Sequence, residues 1–204
     1  SVMADSFHPY ELKLLRAILG DRIDPTHVGI ERRSPTVAEV RSAAGAVGVD
    51  ISQPDQEIEA AVSGRAMSLP NNTIYVPPTA RISKTALDAL TVHEVVHQIQ
   101  YQEDGAAQVF ATLLQEQLSY LLYLQGDQAD DSLNPYYYEV NCNRQPIESL
   151  SDIIFLEGRA AYIEEFVELY LHLGDPPYPD KVRSRARVLQ ASQIDSPAVK
   201  TILA

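Results

Sequence analysis

Sulfur is scarce. Cys142 is the one cysteine among 204 residues, which excludes an intrachain disulfide and a four-thiolate zinc site. Long apolar runs are missing too, and none approaches the ~18 residues that a membrane span requires. Basic charge is in short supply: 16 Lys and Arg stand against 28 Asp and Glu, for a net charge of −12. Non-specific nucleic-acid binding rests on phosphate neutralisation by Lys and Arg, so this chain is repelled on average and no nucleic-acid partner is expected. Its one basic cluster, Lys181, Arg183, Arg185 and Arg187, reads as a solvated helix face. No leader pattern is visible. Ser1-Val2 ahead of Met3 reads as a remnant of expression, and the protein is expected in the cytoplasm or exported without a visible signal peptide.

What is there suits a folded chain. Hydrophobic residues make up 45%, too many for global disorder, and 204 residues bury enough surface to need no staple. The pattern is α+β and mostly helical. Residues 9–19 read as a helix stopped by Gly20. Residues 27–32 alternate as a strand, and 36–47 and 54–63 read as short helices. Asn71-Asn72 marks a turn ahead of Thr73-Ile74-Tyr75-Val76, a β-branched and aromatic strand ended by Pro77-Pro78. Residues 83–102 are apolar nearly all round, as expected for a core helix, and 106–125 repeat the pattern. Residues 126–146 read as a loop. A long helix is predicted over 149–173, from a capping box at Ser149 and Asp152 to a stop at Gly174, and a final helix over 179–191.

His93-Glu94-Val95-Val96-His97 is an H-E-x-x-H motif inside the core helix. Histidines at i and i+4 lie one above the other, so two imidazoles can reach one ion. Glu94 sits about 100° round the helix from His93, badly placed as a third ligand but within reach of water at the metal. Zinc acidifies such water, and a neighbouring carboxylate takes the proton. With 5 histidines and 14 glutamates in the chain, the pattern arises by chance roughly 0.01 times per chain. Three titratable groups in an apolar helix are also costly to bury without partners.

A zinc site of this kind needs a third protein ligand and an open position. The extended motif is absent, since Gln100 and Glu103 stand where a further Gly and His would. Without the glycine the helix has no bend to return Glu103 to the metal. Glu157 is the leading candidate. In the helix predicted over 149–173 its neighbours are Ile153, Ile154, Ala160 and Ala161, and a carboxylate on an apolar face calls for a metal or a basic partner such as Arg159. Small residues at 158, 160 and 161 allow another helix to approach. Glu164 is a candidate supporting group on that face. Glu139, in Tyr136-Tyr137-Tyr138-Glu139, is the runner-up ligand. His8, His27 and His172 have no suggestive spacing and read as surface or strand histidines.

These features resemble the zincin metallopeptidases, and among them the gluzincin type, whose third ligand is a Glu on a later helix. Residues 66–78, followed by a helix with His93-Glu94-Val95-Val96-His97-Gln98, are similar to small bacterial H-E-x-x-H domains, some of which accompany toxin-delivery or injection-system proteins. Tyr136–Glu139 and Glu157-Gly158-Arg159-Ala160-Ala161 are similar to segments of those domains as well. The resemblance spans about residues 66–170 and implies one zincin-like domain over 1–204. Its parts are a mixed α/β segment (1–65), a catalytic core (66–175) and a helical tail (176–204), with a small sheet packed on the motif helix. It implies one Zn²⁺ held by His93, His97 and Glu157, Glu94 as catalytic base, and a peptide or protein substrate. It also makes Thr73–Val76 the strand beside the cleft, either a plain core strand or an edge open to an extended peptide. Amide hydrolysis needs an oxyanion stabiliser, for which a phenol of Tyr136, Tyr137 or Tyr138 is available, aromatic packing being their other role. The alternative expectation is a non-catalytic zincin-like binding or structural module of a secretion or toxin-delivery assembly.

Overall fold

The computed structural model describes residues 5–81, 83–142, 145–173 and 176–204. Local signals account for most elements. Helix α1 (Pro9–Leu19) opens on a proline, whose missing N–H costs nothing in a first turn, and stops at Gly20 with φ +58°. Strand β1 (Gly29–Glu31) is shorter than the alternation over 27–32, because Pro25–His27 closes a 3-10 turn. Helix α2 (Val37–Ala46) has a reciprocal cap: the Thr36 hydroxyl accepts from the Glu39 N–H, and the Glu39 carboxylate accepts from the Thr36 N–H. Helix α3 (Asp55–Val62), strand β2 (Met67–Leu69) and strand β3 (Thr73–Tyr75) follow.

The sheet has the order β1-β3-β2, with β1 parallel and β2 antiparallel to β3. Asn72 takes φ +60° in the turn between β2 and β3, which Asn tolerates better than most residues. Sequence alone misses β2, whose three residues before Pro70 are too few to show a period. The consequence corrects the strand-addition expectation. β3 is central and paired on both sides, so Thr73–Tyr75 has no open edge; β2 is an edge strand instead.

Helix α4 (Lys84–Asp104) is capped by Ser83, whose hydroxyl accepts from the Ala86 N–H at 3.1 Å. Every residue from Ala89 to Tyr101 is buried. The sheet lies on one side of α4, and Gln98 ties the two together by donating to Ser68 Oγ (2.7 Å) and to the Leu69 carbonyl (2.8 Å). Gly105 turns the chain into α5 (Ala106–Gln125). The region read as a loop holds a 3-10 turn at Asp131–Leu133 and the short helix α6 (Tyr138–Asn141). Helices α7 (Leu156–His172), α8 (Asp180–Ala191) and α9 (Pro197–Leu203) complete the fold. α9 lies beyond the final helix predicted over 179–191, and its start carries a local signal: Ser196 caps it and Pro197 stands in its first turn. The result is a mostly helical α+β fold. Among the described residues no helix is long and apolar enough to cross a membrane.

α7 differs most from expectation. Ser149 and Asp152 do form a capping box, but it closes only the 3-10 turn Leu150–Asp152. Ile153 then turns extended and is fully buried. Ile153 and Ile154 therefore precede α7, and Glu157 stands in its first turn rather than mid-helix. The predicted stop at Gly174 lies outside the described residues. α7 packs most extensively on α4, through a core that contains Val92, Val95, Ile163, Phe166 and Val167. Each such buried side chain contributes about 1.5–3 kcal/mol, which fixes the two helices against each other.

Gly158 meets the Pro135 backbone and the start of the short helix α6. A Cβ there would stand 2.8 Å from Ile153 Cγ2 and 2.9 Å from the Pro135 carbonyl oxygen. Alanine is the better helix former by about 1 kcal/mol, but overpacking costs about 1–3 kcal/mol, and a backbone carbonyl yields little. Gly158→Ala is expected to lose up to about 2 kcal/mol net, seen as a lower melting temperature; a raised value would show that the 135–138 segment moves freely.

The basic cluster is not one solvated face. Arg185 lies inside, with Nη2 donating to the Tyr138 hydroxyl (2.7 Å), pairing with Glu165 (2.6 Å), and its guanidinium 4.6 Å from the Tyr162 ring centre. Lys181 and Arg187 are exposed.

Candidate metal centre

The face of α4 that meets α7 carries His93 and His97, one turn apart, with ring centres 4.9 Å from each other. Both are nearly inaccessible, at 3% and 2%. Glu157 enters from the first turn of α7, and its Oε2 lies 2.9 Å from His93 Nε2 and 3.1 Å from His97 Nε2. Three potential ligand atoms, one from each residue, fall within 4.8 Å of one another.

The outer nitrogens are held from behind. His93 Nδ1 is 2.8 Å from Glu164 Oε2. Burial works against the charged form of Glu164, but the His93 contact and Arg81, 3.5 Å away, outweigh it and hold that carboxyl below its ordinary range. An ionised carboxylate only accepts, so His93 Nδ1 donates. His97 Nδ1 donates to Gln100 Oε1 (2.8 Å), whose amide nitrogen donates in turn to the Leu156 carbonyl (3.2 Å). With both Nδ1 atoms donating, both Nε2 atoms offer lone pairs to one point, where a carboxylate oxygen does the same. Three acceptors converge, and something positive must sit among them.

Protons answer part of that demand. Burial opposes a charged His93, yet the bonds to Glu157 and Glu164 hold its pKa well above the ordinary value. Burial likewise opposes a charged His97, and attraction to Glu157 overrides it. Burial would raise the Glu157 carboxyl, but the two rings hold it far below the usual range. A divalent cation meets the same demand with all three atoms as ligands. Zinc bonds of ~2.0–2.1 Å in a tetrahedron put ligand atoms about 3.4 Å apart, close to the 2.9 and 3.1 Å found. The donor set thus fits such an ion, and the Nδ1 contacts are the outer bonds that metal-binding histidines use.

Glu94 differs from its neighbours. It is 5% exposed and lines a cleft of about 600 Å³ beside His93. Thr91, His93, His97, Gln98 and Gln100 all hydrogen-bond, whereas the Glu94 carboxyl bonds to none of the described side chains. Burial, partly offset by the two histidines, pushes its pKa up to about 7.

The three tyrosines separate. Tyr136 lines the cleft 6.2 Å from the His93 ring, and its hydroxyl accepts from Gln117 Nε2 (2.7 Å), leaving its own proton free to donate. Tyr137 and Tyr138 line a different cavity, next to Arg185. They are not placed to stabilise an oxyanion at this centre. Glu139, the runner-up ligand, is exposed beside that second cavity and does not join the histidines. Glu103 is held by Arg22, at 2.9 and 2.7 Å, on the surface. His8, His27 and His172 are exposed.

Sequence reading missed Glu116 and Gln117. Glu116, buried on α5, accepts the N–H groups of Glu157 (2.8 Å) and Leu156 (3.2 Å). It caps α7 from another helix and so fixes where Glu157 starts. Burial, offset in part by those bonds, raises its pKa to about 7. Gln117 donates to Glu157 Oε1 (2.8 Å). The available signal was a carboxylate one turn beyond Leu113, on the stripe with Val109 and Phe110. Glu116→Ala leaves two donors at a buried helix start without acceptors, and is expected to cost about 2–3 kcal/mol. In a chain of this size that is a melting-temperature drop of roughly 5–10 °C. Glu116→Gln, which keeps one acceptor, should recover part of it; equal melting of all three proteins would remove the capping role.

The described residues thus define a buried cluster of two imidazoles and one carboxylate, with the unbonded carboxyl of Glu94 lining the cleft beside it. Compared with protein-family models, with curated proteins and with solved structures, the chain finds no match in any of the three. Its chemistry has to be argued from its own side chains.

Proposed function

We propose that this protein is a zinc-dependent hydrolase of the zincin type, acting on the amide bonds of peptides. One observation carries the reading: both Nδ1 atoms are held outward by Glu164 and Gln100 while both Nε2 atoms converge on Glu157. His93, His97 and Glu157 would hold the ion, which supplies Lewis acidity and acidifies water at that point.

The remaining work belongs to the chain. Glu94, which lines the cleft with its carboxyl unbonded, takes a proton from the attacking water on its carboxyl oxygen and returns it to the leaving amine. The Tyr136 hydroxyl, with its oxygen engaged by Gln117, donates its proton toward the carbonyl oxygen as charge grows there. Glu164 and Gln100 keep the imidazoles in one tautomer and orientation. Enclosure of α4 from Ala89 to Tyr101 keeps bulk water from the inner side of the cluster.

Elemental analysis of the purified chain, with peptide hydrolysis assayed before and after chelation, tests the reading. The expected result is one zinc per chain, hydrolysis lost on chelation and regained with zinc, and helical circular dichroism kept throughout. The two apolar cores are built from side chains other than the three ligands, so the fold is expected to persist without the ion. Helix lost on chelation, in a loaded protein that cuts no peptide, would make the ion structural.

A further inference from the structure

The cleft carries a cation that nothing in the hydrolytic scheme uses. Arg65 precedes edge strand β2 and lines the cleft with Ala66. Its segment is pinned: the Ser34 hydroxyl accepts from the Gly64 N–H (3.0 Å) and contacts the Arg65 carbonyl (3.4 Å). Its guanidinium lies over the Tyr120 ring, 5.2 Å from the centre. Tyr120 meets Tyr136 edge-on at 4.9 Å, and Tyr136 lies 6.2 Å from His93. An aromatic floor therefore runs from the metal cluster to Arg65, over a span that an extended peptide covers in about five residues or fewer.

Arg65 is half-buried and forms no ion pair among the described residues. It is one of five arginines without an ion pair among the eleven described, and of the two that line the cleft it is the one without a carboxylate partner. Arg22, Arg32, Arg33, Arg41, Arg81 and Arg185 all pair with carboxylates. Arg81, the other arginine lining the cleft, is engaged by Glu164. From α7 the cleft is lined by Glu164, Glu165 and Glu168; Glu164 and Glu165 are already paired with Arg81 and Arg185, whereas Arg65 keeps its charge uncommitted for an anionic group entering the cleft. The cation–π contact with Tyr120 occupies no guanidinium N–H, and a guanidinium edge suits a carboxylate with two parallel bonds.

We propose that Arg65 sets the specificity of the cleft by binding a carboxylate of the substrate, either an Asp or Glu side chain or a free C-terminus. Its bearing on the bond to be cut rests on the hydrolase reading above; the carboxylate contact does not.

The test uses the full chain and fluorescent octapeptides in matched sets: Asp or Glu at each position, the Asn or Gln counterparts, Lys counterparts, and each with a free or amidated C-terminus. Binding is measured by anisotropy after chelation, and kcat/KM with zinc restored. Acid-bearing peptides are expected to bind about 10- to 100-fold more tightly than their amides. Arg65→Gln should erase that ratio and Arg65→Glu should turn it toward the Lys peptides. Loss of the ratio on C-terminal amidation alone identifies the chain end as the ligand; loss on internal Asn or Gln substitution identifies a side chain. Equal binding of acid and amide peptides, or a preference that survives Arg65→Glu, overturns the proposal. Arg65-dependent binding without cleavage of any peptide removes the hydrolase reading and leaves this one standing. Cleavage indifferent to peptide charge does the reverse, and absence of both binding and cleavage removes both.

Discussion

Glu94→Gln is expected to lower kcat for peptide hydrolysis by about 10²- to 10⁴-fold, the range that general acid–base catalysis supplies, with zinc content unchanged. The substitution keeps the shape of the side chain and removes its basic oxygen. Glu94 bonds to none of the described side chains, so the amide breaks no existing contact. It also removes an ionisable group that burial already disfavours. The melting temperature should therefore hold or rise slightly. Turnover, zinc content and melting, measured on the same preparation, separate the outcomes. Full turnover in the variant removes Glu94 from the chemistry, while loss of zinc along with turnover would make it part of the metal cage.

The second large effect falls on the metal and on stability together. Glu157→Ala takes away the oxygen that both Nε2 atoms share at 2.9 and 3.1 Å. Loss of an outer-shell partner costs about 10- to 100-fold in metal affinity, so loss of a direct ligand should exceed about 100-fold. Breaking a buried ion pair by removing one partner costs about 3–5 kcal/mol, or roughly 10 °C or more of melting temperature in a chain of this length. Chelator competition gives the affinity and thermal melts after chelation give the stability. Glu139→Ala and Glu103→Ala serve as comparisons and should leave zinc binding untouched, since neither residue approaches the histidines. Zinc held as tightly by the Glu157 variant as by the parent chain would sink the ligand set.

The centre was legible in unequal parts. His93 and His97 needed only helical periodicity, because one turn of helix places them together whatever the rest of the chain does. Glu164 was visible as an acidic residue on an apolar face. Glu157 was singled out for a polar group among apolar neighbours, although two of those neighbours, Ile153 and Ile154, turned out to lie outside α7. Tyr136, Tyr137 and Tyr138 were indistinguishable in sequence. The short helix α6 begins at Tyr138, and Tyr136, ahead of it, takes the cleft side while Tyr138 turns to Glu165 and Arg185. Arg65 carried no signal, since an isolated arginine before a three-residue strand looks like any other.

Sequence by itself determined the mostly helical α+β class, the core helix α4 with its i, i+4 histidines, and the exclusion of disulfides. The first two follow from interactions within a turn or two of helix, which the order of residues encodes directly, and the last from the single cysteine. Tertiary structure alone decided where α7 begins, that β2 and not β3 lies at the sheet edge, and which carboxylate faces the two imidazoles. The physical reason is visible at Glu116. A helix starts where its first N–H groups find acceptors, and here those acceptors belong to a residue 41 positions away, brought there only when α5 and α7 pack together.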